Sequence, residues 1–133
     1  MDVWILRFPE PRQRLGESRQ LVVLQRTEDG VEKELDALEV EARGRTLDVA
    51  VEEQIEKGRS RLILDLIHQK HMDSNDLAHI IGAFKQARES GGELVIANPN
   101  AKIQEIFRIT HLEEEMALFD SVKAAAEYFK SSE

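Results

Sequence analysis

RLILDLIHQKHMDSNDLAHIIGAFKQARESGGELVIAN, residues 61–98, contains two apolar runs with a stretch of different period between them. RLILDLI at 61–67 is nearly continuous leucine and isoleucine, the pattern of a strand buried on both faces. Leu77, Ile80, Ile81, Phe84 and Ala87 then fall at i, i+3, i+4, i+7 and i+10, which draws one apolar stripe along a helix. Lys85, Gln86, Arg88 and Glu89 take the other side, and Gly91-Gly92 stops the helix. ELVIAN at 93–98 reads as a second buried strand, and Pro99 begins the turn after it. Strand, helix, strand over this length predicts two parallel strands joined by a crossover helix.

Downstream, AKIQEIFRITHL places Ile103, Ile106, Phe107 and Thr110 on one helix face. MALF at 116–119 fits a short strand. Asp120 is placed to cap a last helix in which Val122, Ala125, Ala126 and Phe129 face inward. Upstream, Leu47, Val51 and Ile55 recur every four residues and predict a helix ending at Gly58. Residues 3–8 and 21–25 are β-prone; Pro9 and Pro11 end the first run, residues 9–20 form a polar connection, and TEDG at 27–30 is a turn. At 38–42, LEVEA alternates like a strand, although KELDALEVEAR as a whole is rich in helix formers. The strand is the preferred reading. The expected fold is α/β: a mixed, mostly parallel sheet with helices packed against it, in one domain over 1–133. Residues 46–130 follow the regular pattern, and residues 1–45 are atypical.

With 41% hydrophobic and 33% charged residues, the composition is that of a globular chain rather than a disordered one. Net charge is −8, which disfavours wrapping nucleic acid or lying on an anionic membrane and favours a partner with a basic face. The chain has no cysteine, so disulfides, thiol catalysis and cysteine-ligated zinc are excluded. No apolar run reaches the roughly 20 residues that span a bilayer. In MDVWILRFPEPRQR the apolar residues precede the positive ones, the reverse of a secretory signal, so the expected location is the cytoplasm.

Enzyme templates are missing: there is no glycine-rich phosphate loop, no HExxH and no GxSxG. His68 and His71 sit near one strand end, but no acidic residue recurs at ligand spacing, and no metal or cofactor is expected. Asp65 could act as a catalytic carboxylate; a strand-end residue hydrogen-bonded to a neighbouring loop is the preferred reading, and no catalytic residue is assigned. Asp73-Ser74-Asn75-Asp76 remains. Asp73 or Ser74 as N-cap, with Asp76 complementing the positive helix end, explains these residues with about 1 kcal/mol of stability and no function at all. The functional reading makes Ser74 an exposed acceptor for phosphate at the end of a sheet strand, where α/β folds gather their partners.

LILDLIHQKHMDSNDLAHIIGAFKQARESGGELVIANPNAKIQEIFRITHLEEEMALFDSVKAAAEYF resembles the STAS domains of anti-sigma-factor antagonists, over roughly residues 61–129. The resemblance rests on Leu64-Asp65-Leu66, Met72-Asp73-Ser74, Gly91-Gly92, Thr110-His111-Leu112, and Asp120-Ser121-Val122 with Ala125. It implies a protein that is not an enzyme but the substrate and ligand of one. An anti-sigma factor that is also a serine kinase would bind Met72, Asp73, Ser74, Asn75, Asp76, Leu77 and Ala78, and would phosphorylate Ser74. Asn75 stands where the family has a second serine, and Asp76 where it has a glycine. Those two departures motivate the alternative, a STAS scaffold that is never phosphorylated, within a larger signalling or lipid-transport ATPase assembly. The family's turn before the first helix matches Gly44-Arg45-Thr46-Leu47-Asp48 with one extra residue, or else Glu34-Leu35-Asp36. An unusual front half leaves room for a homodimer formed through a sheet edge.

Overall fold

The last apolar residue of the 61–67 run does not continue the strand that the run begins. In the computed structural model, which describes residues 2–9, 19–40 and 46–131, β4 spans Arg61–Asp65 and stops there. Leu66 still donates its amide to the Ala97 carbonyl at 2.9 Å, but the next amide, Ile67, turns back to the Asp65 carboxylate at 3.1 Å. A side-chain acceptor has replaced the neighbouring strand as partner, which ends the ladder two residues before the hydrophobic pattern does.

Around β4 the elements follow in the order β1 (Val3–Arg7), β2 (Arg19–Arg26), β3 (Glu32–Val40), α1 (Leu47–Glu56), β4, α2 (Ser74–Glu89), β5 (Glu93–Ala97), α3 (Ala101–Ile109), β6 (Leu118–Phe119) and α4 (Val122–Ser131). The sheet order is β3-β2-β1-β4-β5-β6. The pairs β1–β4, β4–β5 and β5–β6 are parallel; β1–β2 and β2–β3 are antiparallel. The mixed, mostly parallel α/β sheet expected from the sequence is therefore present.

Successive residues of β4 point to opposite faces, and both faces are buried. Leu62 and Leu64 enter a core with Leu47 and Val51 of α1, Phe84 of α2 and Phe107 of α3. Ile63 enters a second core, with Val122, Ala125 and Phe129 of α4. Each of these β4 side chains is wholly removed from solvent, a contribution of about 1.5–3 kcal/mol apiece. Among the described residues, three helices therefore cover one face of the sheet, and α4 covers the other.

Several boundaries differ from expectation. The strand expected at 38–42 is β3, which begins earlier, at Glu32, and runs through 34–36, so Glu34-Leu35-Asp36 is not a turn. Most of its side chains are exposed and only Leu38 and Val40 are buried, so its first half carries no alternation to read. A bulge at the Val23/Leu24 position shifts its register. The expected Asp120 cap is replaced by Ser121, whose Oγ accepts the Ala124 amide at 3.0 Å. In the 116–119 segment only Leu118 and Phe119 form strand, while Met116 is buried ahead of it, after a 3-10 turn at Leu112–Glu114. Thr110 is exposed at the end of α3 instead of facing inward, and its hydroxyl donates to the Ile106 carbonyl at 2.7 Å. Of the connection expected over 9–20, Arg19 and Gln20 belong instead to β2; residues 10–18, residues 41–42 of the expected 38–42 strand, and Gly44-Arg45 of the expected turn lie outside the described residues.

Candidate functional site

The Met72 to Ala78 segment sits at the end of the sheet where β1, β4 and β5 finish, and its geometry is set by short-range hydrogen bonds. Asp73 is the N-cap of α2, with extended backbone (φ −95, ψ 177). Its Oδ1 accepts the Asp76 amide at 2.8 Å, and the Asp76 Oδ2 accepts the Asp73 amide at 3.2 Å. This is a reciprocal capping box built from two aspartates. Of the two candidate caps, Asp73 is the one used. Ser74 is therefore the first helical residue: it is exposed, and among the described residues no partner takes its hydroxyl. Asn75 and Ala78 are also exposed, whereas Asp76 is half-buried. Met72 and Leu77 are half-buried and pack on the larger core, which anchors the segment on both sides of the serine.

The loop leading to Ser74 is held at two points by residues far away in the chain. At its root, Asp65 is 2% exposed and gathers three donors. Its Oδ2 accepts from Arg7 Nε at 2.6 Å, and its Oδ1 accepts from the Ile67 amide at 3.1 Å and from Asn98 Nδ2 at 3.0 Å. A buried carboxylate needs this degree of pairing to offset its lost hydration. The preferred reading of Asp65, a strand-end residue bonded to neighbouring loops, agrees with this geometry. Farther along, Asn100 Nδ2 donates to the Lys70 carbonyl at 2.9 Å and to the Gln69 carbonyl at 3.3 Å. The same side chain caps α3, its Oδ1 accepting the Ile103 amide at 2.9 Å. Asn98 itself has φ 57, a left-handed conformation that asparagine tolerates better than most residues.

Arg7, Asn98 and Asn100 were not among the residues singled out from the sequence. Asn100 carried a local signal, an N-cap residue between Pro99 and an amphipathic run. Arg7 and Asn98 carried none, since their partner lies 58 and 33 residues away. His68 and His71 are exposed in this loop, and among the described residues no three His, Cys, Asp or Glu side chains gather as a metal site would require. No helix among the described residues is long and apolar enough to cross a membrane.

Chemically, the arrangement presents one exposed primary hydroxyl on a helix N-terminus, flanked by two carboxylates and bedded on apolar side chains. Comparisons with known proteins agree with this architecture. A candidate anti-sigma factor antagonist of Bordetella bronchiseptica, BtrV, is 30% identical over 91 residues, which is 68% of this chain and 78% of that protein. A candidate anti-sigma factor antagonist of Thermotoga maritima is 28% identical over 76 residues, 57% of this chain and 67% of that one. A crystal structure of a candidate anti-sigma factor antagonist from Thermotoga maritima superposes with a TM-score of 0.56 at 26% identity, covering 62% of this chain and 70% of that one. The model of the STAS domain matches residues 27–125, from the β2–β3 turn to the middle of α4, and the chain belongs to the STAS domain family.

Proposed function

We propose that this STAS protein is a partner-switching antagonist of an anti-sigma factor, with Ser74 as its phosphoacceptor. The observation that carries this reading is the division of labour at the start of α2. Asp73 supplies the cap, so the Ser74 hydroxyl is left at the surface instead of being tied to the helix backbone. In the unphosphorylated state Met72, Leu77 and Ala78 give apolar contact, and Asp73 and Asp76 meet a basic surface on the anti-sigma factor. That partner, a serine kinase, supplies nucleotide, metal ion and base; this chain is substrate and ligand. Phosphate on Ser74 adds about −1.5 to −2 charges beside two carboxylates and drives the docked surface apart. The relatives described as candidate anti-sigma factor antagonists support the same assignment.

The test is intact mass with site mapping of the protein recovered from its host under growth and stress. A condition-dependent phosphate on Ser74, together with loss of anti-sigma factor binding in Ser74→Glu but not Ser74→Ala, is the expected result. One observation favours a second reading. Asp76, with its carboxylate held in the capping box, already gives the first turn of α2 a second acidic side chain beside Asp73. A helix start charged in this way suits a constitutive scaffold subunit of a larger signalling or lipid-transport ATPase assembly. Absence of phosphate in every condition selects that reading.

A further inference from the structure

The geometry points to Asp65 as the positioning residue of this site. By accepting the Ile67 amide it ends β4, turns the chain out of the sheet at Ile67, and fixes the path of residues 66–73 into α2. This inference deepens the reading of Ser74 as phosphoacceptor and rests on it for its functional arm.

The apolar run at 61–67 would extend β4 by two residues if pattern alone decided. Asp65 interrupts it. Its carboxylate takes the Ile67 amide at 3.1 Å, so that amide is no longer available to the neighbouring strand. The consequence is visible one residue later. Leu66 is buried, whereas Ile67 is 53% exposed. Its side chain stands at the same end of the sheet as the exposed start of α2, and Met72 and Leu77 lie half-buried between that end and the core.

A buried ion pair is a weak reason to keep a carboxylate at this position. An apolar residue of similar volume would stabilise the sheet about as well. What an apolar residue cannot do is bind three donors from three segments. Arg7 closes β1, the Ile67 amide opens the loop to α2, and Asn98 opens the loop to α3. A carboxylate has acceptor sites for all three at once. Asn100 then holds the far half of the same loop through the Gln69 and Lys70 carbonyls. With its root and its middle both held, the loop delivers Asp73 to the cap position in one register, and Ser74 follows as the first helical residue. Partner contact and phosphoryl transfer both need such preorganisation, because a loosely held loop must be ordered at the moment of binding.

The experiment compares full-length wild type, Asp65→Ala, Asp65→Asn and Asn98→Gly. It reads residue-resolved amide hydrogen exchange and the phosphate occupancy of Ser74 per folded molecule in the host. Asp65→Ala is expected to speed exchange at Ile67 and through 68–73 by about tenfold or more, with Leu62–Leu64 unchanged, and to lower Ser74 occupancy several-fold. Asp65→Asn keeps an oxygen for the Ile67 amide and Asn98 but turns an N–H group toward Arg7 Nε, itself a donor, and is expected to speed the same amides and lower occupancy less than Asp65→Ala does. Asn98→Gly keeps the left-handed backbone but loses one donor, and is expected to give a smaller change in the same amides. If Asp65→Ala fails to fold, Asp65→Asn and Asn98→Gly decide the matter, each expected to loosen 67–73 while leaving Leu62–Leu64 unchanged. Uniformly faster exchange across the sheet overturns the proposal, as does a loosened loop with Ser74 occupancy at the wild-type level. If wild-type Ser74 never carries phosphate, the phosphoacceptor reading fails, and loop-specific exchange alone decides the role of Asp65.

Discussion

The two ends of the sheet are closed by different chemistry. At the end where β1 and the parallel strands begin, the chain reverses through backbone geometry: Gly30 between β2 and β3, Gly58 after α1, Gly91 after α2 and His111 after α3 all have positive φ. At the end where the parallel strands finish, side chains make the connections: Asp65, Asn98, Asn100, Asp73 and Ser121 each bond to a loop or cap a helix. Helices arrive at the first end with spare carbonyls, which a left-handed residue closes with its own backbone. At the second end α2, α3 and α4 start with spare amides, which Asp73, Asn100 and Ser121 accept, while Thr46 gives α1 no side-chain cap. The second end therefore accumulates polar side chains that a partner can also read, and the candidate site lies there.

The largest expected effect is one that erases the distinction. Phe107→Ala removes a fully buried ring from the core beneath both ends, and chemical denaturation should show a loss of about 3–5 kcal/mol with exchange rising everywhere. Gly92→Ala acts on the first end. A Cβ there would stand 2.9 Å from the Ser60 carbonyl oxygen and 2.9 Å from Ile55 Cδ1. The backbone must shift, at about 1–3 kcal/mol, while Ser74 occupancy should stay at the wild-type level.

A matched pair sharpens the contrast. Gly58→Ala places a side chain at φ +85, and Asp73→Ala removes a cap; each should lower stability by about 1 kcal/mol. Equal losses should have unequal consequences, with only Asp73→Ala changing phosphate on Ser74 and exchange in the first turn of α2.

The smallest effect is spectroscopic. The Thr27 hydroxyl donates to Asp29 in the β2–β3 turn and holds that carboxyl below its ordinary pKa. Stabilisation by such a depressed carboxyl is present above the unfolded pKa and fades as pH falls through the folded one. Thr27→Val should bring the NMR titration of Asp29 back toward the ordinary aspartate range, with no measurable change in the denaturation midpoint.

The same contrast explains what could be read from the sequence. Periodicity located α2, β4, β5 and α4, because their buried stripes are dense and local. It could not locate the start of β3, where Glu32, Lys33, Glu34 and Asp36 are exposed on an edge strand and nothing alternates. The cap was legible as Asp73 or Ser74, but the return bond from the Asp73 amide to the Asp76 carboxylate was not, since Asp76 was read only as complementing the helix end. Arg7 and Asn98 were illegible as partners of Asp65 because tertiary contacts over such separations leave no spacing to count.

The strand order places β1 between the antiparallel and parallel halves of the sheet, with β2 on one side and β4 on the other. The first strand of this sheet to leave the ribosome is therefore at the centre of the finished sheet. It can join the β2–β3 hairpin early, but its other flank stays open until Arg61–Asp65 has been made, and the second core waits longer still, for α4. The sheet is thus sealed only when α4 closes over β1, and a ribosome stalled before α4 carries Val3 and Ile5 uncovered, the apolar surface a chaperone would meet.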